Sequence, residues 1–268
     1  MENIRVSLLQ ANLVWEDKTA NLKDFGKRIA ALPADTDLVL LPEMFTTGFS
    51  MNAPAFAESM DGPTMQWLAE QAAQCKAVVA GSFIALENGC YYNRLVWMRP
   101  DGSFEHYDKR HLFAYAGEDK TYTAGEKKLI VLLKGWKVCP LICYDLRFPV
   151  WSRNVEDYDL LVYVANFPER RRHAWKSLLV ARAIENQVYT IGVNRVGRDG
   201  ADIAYSGDSC VVDFEGNLSS ELVGAEGVIS VELSADAQRA FREKFPFLKD
   251  RDAVQLNAVG ATSFTAFQ

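Results

Sequence analysis

Short apolar runs alternate along the chain with segments in which apolar residues recur every three or four positions. The first run, residues 4–10, predicts a β-strand. The apolar residues that follow it predict one face of an amphipathic helix: Leu22, Phe25, Ile29 and Leu32. Residues 38–41 are apolar throughout, which is typical of a strand covered on both faces. Pro63 opens a second helical pattern, and residues 77–84 return to a strand.

The rest of the chain continues this alternation. Further strands are predicted at residues 91–99, 104–109, 129–133, 138–143, 160–165, 188–193, 209–214 and 228–233. A long helix is predicted at 173–187, and Ser234 caps a last helix that ends near Phe245. Because no repeat or Pro/Gly/Ser-rich linker interrupts the pattern, we expect one α/β domain over residues 1–245. We expect residues 246–268 to form a C-terminal tail that packs on a partner subunit or is disordered.

Composition narrows the class of protein. The chain has 268 residues, of which 49% are hydrophobic and 24% charged, as in an ordinary globular protein. A net charge of −6 argues against nonspecific binding to nucleic acid or to anionic membranes. The apolar runs are too short to span a bilayer, and the first residues lack the features of a signal peptide. Five scattered cysteines fit free thiols better than a disulfide framework, so we expect a cytoplasmic protein.

The most informative segment is a strand-like run that ends on Cys143 and is followed directly by charged residues. A thiol at the point where a strand turns toward a helix meets backbone N–H groups. These groups favour the thiolate and can bind an oxyanion, which suits a nucleophile. A single cysteine is, however, also a common small core residue.

Two further segments place a charged side chain at the end of a strand. Glu43 follows residues 38–41 and is either a general base or a solvated loop carboxylate. Lys109 ends the strand at residues 104–109 and is either a surface lysine or a functional one. The three histidines show no metal-ligand spacing. The chain also has no phosphate-binding loop, dinucleotide-binding motif or serine-nucleophile elbow.

Taken together, the three segments resemble the signature segments of the nitrilase/amidase carbon–nitrogen hydrolase superfamily. They are Pro-Glu-Met-Phe around Glu43, Lys-Arg-His-Leu-Phe around Lys109 and Cys-Tyr-Asp-Leu-Arg-Phe-Pro around Cys143. The resemblance covers residues 4–245 and implies a four-layer α-β-β-α sandwich of two mixed sheets with a catalytic Glu–Lys–Cys triad. It also implies assembly as homodimers or larger, and no organic cofactor or metal. Glu118 falls where that superfamily carries a second glutamate that assists the triad.

Finer features are similar to the omega-amidase branch, whose members hydrolyse the side-chain amide of 2-oxo acids such as 2-oxoglutaramate and 2-oxosuccinamate. They include Asn-Phe-Pro at 166–168 and Ala-Arg-Ala-Ile-Glu-Asn-Gln at 181–187. Tyr-Asp follows Cys143 where true nitrilases have Trp-Glu, which favours amides over nitriles. An amidase of the same superfamily acting on a carbamoyl amine or a deaminated peptide is an alternative. So are a non-catalytic binding member and a thiol redox sensor that uses Cys143 with Cys139.

Our hypothesis for the chemistry is acyl transfer through a thioester on Cys143. Glu43 moves the protons, and Lys109 stabilises the oxyanion together with the backbone N–H of Tyr144. The carboxylate of a 2-oxo acid needs a cation, for which Arg147 is the candidate, with a structural salt bridge as the alternative role. Four aromatic residues are candidate walls of the pocket, although large aromatics are also ordinary core residues: Phe45, Tyr115, Phe167 and Trp175.

Overall fold

Two β-sheets lie face to face at the centre of the molecule, and helices pack against their outer faces. The computed structural model describes residues 1–252. Its strands are β1 Ile4–Gln10, β2 Leu38–Leu40, β3 Val78–Glu87, β4 Cys90–Met98, β5 Phe104–Asp108, β6 Val131–Leu133, β7 Trp136–Ile142, β8 Leu160–Val164, β9 Tyr189–Val193, β10 Val196–Arg198, β11 Ala204–Val212, β12 Leu218–Val223 and β13 Gly227–Leu233. Its α-helices are α1 Lys18–Ala30, α2 Ala53–Phe56, α3 Pro63–Cys75, α4 Glu118–Thr121, α5 Pro149–Ser152, α6 Arg172–Asn186 and α7 Ala235–Lys244. The predicted four-layer sandwich is confirmed.

Parallel strands form the middle of each sheet. The first sheet has the order β13-β1-β2-β3-β4-β5, in which β1, β2 and β3 run parallel. The second has the order β10-β11-β9-β8-β7-β6, with β12 beside β11, and β7, β8 and β9 run parallel. Helix α3 lies in the crossover from β2 to β3, and α6 lies in the crossover from β8 to β9. The carboxyl ends of such parallel strands are where ligand sites form in α/β folds.

Strand β2 shows how alternating side chains divide the core. Leu38 and Leu40 pack in the large cluster between the two sheets. Val39 points to the opposite face and packs in a second cluster with residues of α1 and α3. All three side chains are fully buried, so the prediction of a strand covered on both faces is confirmed.

The sheets differ from the predicted elements in three places. Strands β3 and β4 form a hairpin through Asn88 and Gly89, whose φ angles of 51° and 77° make a tight left-handed turn. The strand predicted at 209–214 is β11, which begins five residues earlier, at Ala204. Strands β10 and β12 were not predicted. β12 has no buried residue, so it lacks the apolar alternation that marks a strand in a sequence.

The predicted tail at 246–268 is described only in part. Phe247–Asp250 form a short 3-10 turn. Residues 253–268 lie outside the described residues, so the packing of the tail on a partner subunit stays a prediction. Within residues 1–252, no helix is both long enough and apolar enough to cross a membrane.

Candidate active site

Strands of both sheets deliver the candidate catalytic residues to one place. Glu43 follows β2 and Lys109 follows β5, both in the first sheet, whereas Cys143 follows β7 in the second. Glu118 is the first residue of α4. All four side chains are buried, and Cys143 is the most exposed of them at 8%.

Lys109 lies between two carboxylates. Its Nζ is 2.8 Å from Oε1 of Glu43, and 3.0 and 2.9 Å from the two carboxylate oxygens of Glu118. In this buried setting the charges attract one another more strongly than they would in water. Within residues 1–252, no group of three or more His, Cys, Asp or Glu side chains forms a metal-ligand set.

Two asparagines orient Glu43. Nδ2 of Asn93, in β4, donates to Oε1 of Glu43 at 2.8 Å and to Oε1 of Glu118 at 3.1 Å. The backbone N–H of Asn166, beyond the end of β8, donates to Oε2 of Glu43 at 2.8 Å. Sequence analysis missed Asn93. The available signal was an amide in a strand that is otherwise apolar except for Arg94, because a buried amide needs hydrogen-bond partners.

Cys143 begins the 3-10 turn Cys143–Arg147 in a strained backbone conformation. Its φ of 43° lies in the left-handed region, which is unusual for a residue that carries a side chain. Its Sγ lies 3.9 Å from the carbonyl oxygen of Asn166. Asp145 holds the turn, because its Oδ2 accepts from the backbone N–H of Ile142 at 3.1 Å. Backbone strain that neighbouring contacts maintain in this way points to a functional role.

His111 supports the same turn. Its Nδ1 lies 2.8 Å from Oδ1 of Asp145, and its backbone N–H donates to that oxygen at 3.0 Å. The imidazole stacks on the ring of Phe148, with the ring centres 3.7 Å apart. Asp145 also accepts a hydrogen bond of 2.8 Å from the hydroxyl of Tyr107 in β5, so it ties the segment before Lys109 to the turn of Cys143.

Burial and charge together set the protonation states of the site. Burial raises the pKa of Cys143 well above its ordinary value, and the negative charge of Glu43 raises it further. Burial alone would lower the pKa of Lys109, but the charges of Glu118 and Glu43 outweigh it and raise this pKa. Burial also raises the pKa of Glu118. At neutral pH the thiol is therefore protonated and the lysine charged, so a thiolate needs a base to form it.

A cavity of about 430 Å³ opens beside Lys109 and Cys143. Four residues predicted to bind substrate line it: Tyr144, Arg147, Tyr115 and Phe167. Tyr115 is 82% exposed, which places it at the outer rim. Sequence analysis missed further lining residues, among them Trp15, Phe49, Phe113, Arg171 and Tyr205. They come from separate parts of the chain, and only Phe113 lies within one of the three signature segments, so no single motif marks them as a set.

Arg147 borders the cavity and has no acidic partner within residues 1–252. Its Cζ lies 5.6 Å from the ring centre of Phe167. Among the residues that the structure describes, no Asp or Glu lies within 4.0 Å of its guanidinium nitrogens. The structural salt bridge that was the alternative role for Arg147 is therefore not formed in this part of the chain.

Phe45 and Trp175 were predicted as walls of the cavity, and this placement was wrong. Phe45 is fully buried on the outer side of the first sheet, with its ring 5.8 Å from Phe25 and 5.7 Å from Trp67. Trp175 lies on the buried face of α6, with its ring centre 5.2 Å from that of Phe167. Trp175 therefore supports a wall residue without reaching the cavity.

Comparisons with known proteins agree with this geometry. A model of the carbon–nitrogen hydrolase family matches residues 5–243. The chain is 45% identical to omega-amidase YafV of Escherichia coli K12 over 257 residues, which are 96% of this chain and 100% of that protein. It is 31% identical to a 2-oxoglutaramate amidase of Bacillus subtilis 168, covering 91% of this chain and 96% of the relative.

A solved structure extends the likeness to three dimensions. It is the crystal structure of a CN-hydrolase superfamily protein from Xanthomonas campestris with an arsenic adduct in its active site. The two chains superimpose with a TM-score of 0.94 at 44% identity. The match covers 96% of this chain and 100% of the other.

Proposed function

Because the chain belongs to the carbon–nitrogen hydrolase family, we propose that it is an omega-amidase that releases ammonia from the side-chain amide of a 2-oxo acid. The observation that carries this assignment is the similarity to omega-amidase YafV over almost the whole chain. The 2-oxoglutaramate amidase among the relatives supports the same substrate class. The substrates that we expect are 2-oxoglutaramate and 2-oxosuccinamate.

The reaction proceeds through a thioester on Cys143. Glu43 takes the proton of the thiol while Sγ attacks the amide carbonyl carbon. The carbon–nitrogen bond then breaks as Glu43 passes that proton to the departing ammonia. Water attacks the thioester, Glu43 accepts the proton of the water, and the acid leaves as the proton returns to the sulfur. The raised pKa of Cys143 is the reason that a base is required.

Lys109 stabilises the negative oxygen of the tetrahedral intermediate, with help from the backbone N–H of Tyr144. Its two carboxylate neighbours keep it charged, since they raise its pKa against the effect of burial. Glu118 acts on Lys109 and not on the substrate, because both of its oxygens lie within 3.0 Å of Nζ. Glu118 is thus a positioning residue for the triad.

Arg147 binds the carboxylate at the far end of the substrate. Arg147 is the fourth residue after the nucleophile, and it lines the cavity. No acidic side chain in the described part of the chain pairs with it. A guanidinium binds a carboxylate through two parallel hydrogen bonds, which an ammonium cannot reproduce. Arg147→Lys should therefore raise KM for the 2-oxo amide, and an unchanged KM would contradict this role.

A substrate screen tests the function. Ammonia release is measured with 2-oxoglutaramate, 2-oxosuccinamate, simple aliphatic amides, carbamoyl amines and a nitrile. We expect kcat/KM to be highest for the two 2-oxo amides. A higher value for a carbamoyl amine or an aliphatic amide would assign the enzyme to another amidase class of the family. No release from any of them would favour a binding role, and a titration of free thiols before and after mild peroxide would then test redox sensing.

We further infer that the protein is a cytoplasmic homodimer or larger homo-oligomer. All five cysteines are free, which fits a reducing compartment. Ile184 on α6 and Val150 on α5 are large apolar residues that are 52% and 51% exposed, and their burial against a second copy of the chain would remove apolar surface from water. Sedimentation equilibrium should give a mass at least twice that of one chain.

A further inference from the structure

A second arginine borders the cavity beside Arg147. The 3-10 turn Glu169–Arg171 follows the Asn-Phe-Pro segment, and Arg171 is its last residue. Cζ of Arg171 lies 4.9 Å from the ring centre of Phe113 and 5.8 Å from that of Phe167. Because Arg147 lies 5.6 Å from the same Phe167 ring, the two guanidinium groups share one aromatic wall of the cavity.

No carboxylate in the described part of the chain neutralises this pair. Asp199 also lines the cavity, but its oxygens accept from the hydroxyl of Tyr205 at 2.8 Å and from the backbone N–H of Ala201 at 2.9 Å. Neither arginine lies within 4.0 Å of a carboxylate oxygen in residues 1–252. Burial, together with the charges of Arg170 and Arg147, lowers the pKa of Arg171. An anion bound between the two guanidinium groups therefore relieves their repulsion.

We propose that Arg171 and Arg147 form a two-arginine site that selects amides of 2-oxo acids over amides of 2-amino acids, with Arg171 as the residue that reads the group at C2. This inference rests on the proposed function and adds a determinant of its specificity. Arg147 takes the carboxylate, and Arg171 donates to the neighbouring 2-oxo oxygen, which is an acceptor. An amino acid amide carries an ammonium at C2. The ammonium has no acceptor to offer and is repelled by both guanidinium groups.

The surroundings of Arg171 strengthen this discrimination. Arg171 is only partly exposed, so solvent screens its charge less than it would screen that of a surface arginine. The two aromatic faces orient the guanidinium without using its N–H groups, which leaves those donors for a ligand. Arg170 also borders the cavity, but it is exposed, and no aromatic ring in residues 1–252 packs on its guanidinium in this way.

The test compares Arg171→Gln with Arg170→Gln, which removes the same charge one residue earlier. Steady-state kinetics are measured with 2-oxoglutaramate, glutamine and the uncharged butyramide. For Arg171→Gln we expect kcat/KM to fall about 30-fold for 2-oxoglutaramate, mainly through KM, because a charge-assisted hydrogen bond is lost. We expect kcat/KM for butyramide, which has neither a carboxylate nor a 2-oxo oxygen, to fall much less than kcat/KM for 2-oxoglutaramate. We also expect the ratio of kcat/KM for 2-oxoglutaramate over that for glutamine to decrease. Arg171→Lys, which keeps the charge, should retain part of that preference.

An unchanged ratio of kcat/KM for 2-oxoglutaramate over glutamine in Arg171→Gln would overturn the inference. Equal effects of Arg170→Gln and Arg171→Gln would also overturn it, since they would indicate only a diffuse positive field. A wild-type enzyme that prefers butyramide to 2-oxoglutaramate would instead contradict the proposed function. In that case the inference is tested by how well a 2-oxo acid protects Cys143 from alkylation. 2-Oxoglutarate should slow alkylation of Cys143 by iodoacetamide in the wild type and not in Arg171→Gln, and equal protection of both would overturn the inference.

Discussion

Lys109 forms ion pairs with both glutamates of the site. One ammonium faces both Glu43 and Glu118, at 2.8 and 2.9 Å. A thiolate at Cys143 would add a further negative charge in a buried place, and burial together with Glu43 accordingly raises the pKa of Cys143. The nucleophile is therefore formed during the reaction, by proton transfer to Glu43, and is not stored as a thiolate.

Replacing Lys109 by Ala should abolish most of the activity. The loss of an oxyanion donor costs about 3–4 kcal/mol, or about 10²–10³ in kcat. It also leaves Glu43 and Glu118 facing each other without a cation, which should lower the free energy of unfolding by about 3–5 kcal/mol. The matched variant is the double substitution Lys109→Ala with Glu118→Gln, which removes one of those charges. We expect it to regain stability in urea unfolding but not turnover, and recovery of turnover would contradict the role of Lys109.

The pH dependence of Cys143 alkylation should move when Glu43 is neutralised. Because the pKa of the thiol is raised, its reaction with iodoacetamide should still be increasing above pH 9 in the wild type. Glu43→Gln removes a negative charge and leaves Lys109 nearby, so the pKa should fall and alkylation at neutral pH should become faster. Turnover should be lost in the same variant. Mass spectrometry of the Cys143 peptide measures the rate, and an unshifted pH profile would show that the two groups do not interact.

For single residues, the sequence predicts the site residues that lie inside a signature segment. It does not predict those that only the packing of the fold brings to the cavity. Glu43, Lys109 and Cys143 each follow a strand within a characteristic segment, and the strands before Glu43 and Cys143 are largely apolar. Arg171 lies in a run of three arginines, and the sequence does not show which of them borders the cavity in a half-buried position. The fold distinguishes them, because Arg170 is exposed and Arg172 pairs with Asp208 at 2.5 Å.

At the level of secondary structure, the site is formed by the ends of strands and by the loops that follow them. The parallel strands β2, β7 and β8 lead into Glu43, Cys143 and Asn166 at their carboxyl ends. Left-handed residues turn the chain sharply at two of these points, with φ of 43° at both Met44 and Cys143. The sequence predicts the strands well, because each is a continuous apolar run. It does not predict these turns, since neither Met nor Cys favours a left-handed conformation.

Helix α6 should affect activity through its packing on β9. A Cβ added at Gly192 would lie 2.5 Å from Leu179 and 2.5 Å from Trp175, so Gly192→Ala must displace side chains of α6. Such overpacking costs about 1–3 kcal/mol. Because Trp175 supports Phe167, we also expect Gly192→Ala to raise KM for the 2-oxo amide.

Gly89→Ala is the matched control for this prediction. A Cβ at Gly89 meets no atom of the described residues within 4 Å, but its φ of 77° makes an alanine strained by about 1–2 kcal/mol. Thermal unfolding should show a similar loss of stability in both variants, with kinetics altered only in Gly192→Ala. Identical KM values for the two would show that the packing of α6 does not reach the cavity.

At the scale of the whole molecule, the active site depends on the association of the two sheets. The first sheet contributes Glu43, Lys109 and Asn93, and the second contributes Cys143 and Asn166. The large core cluster joins residues of both sheets, so the packing that stabilises the fold also fixes the distance from the base to the nucleophile. The sequence predicts the layer architecture through family resemblance, whereas the pairing of β10 and β12 in the second sheet arises only from tertiary contacts.

The most direct test of the account is ammonia release from 2-oxoglutaramate by Cys143→Ala, with Cys139→Ala as its partner. Cys139 is fully buried in β7, four residues before the proposed nucleophile, so its variant makes the same substitution in the strand that leads to Cys143. We predict that Cys143→Ala folds and releases no ammonia above the uncatalysed rate, and that Cys139→Ala retains the wild-type kcat. Continued ammonia release by folded Cys143→Ala would contradict the central claim that this sulfur forms the thioester.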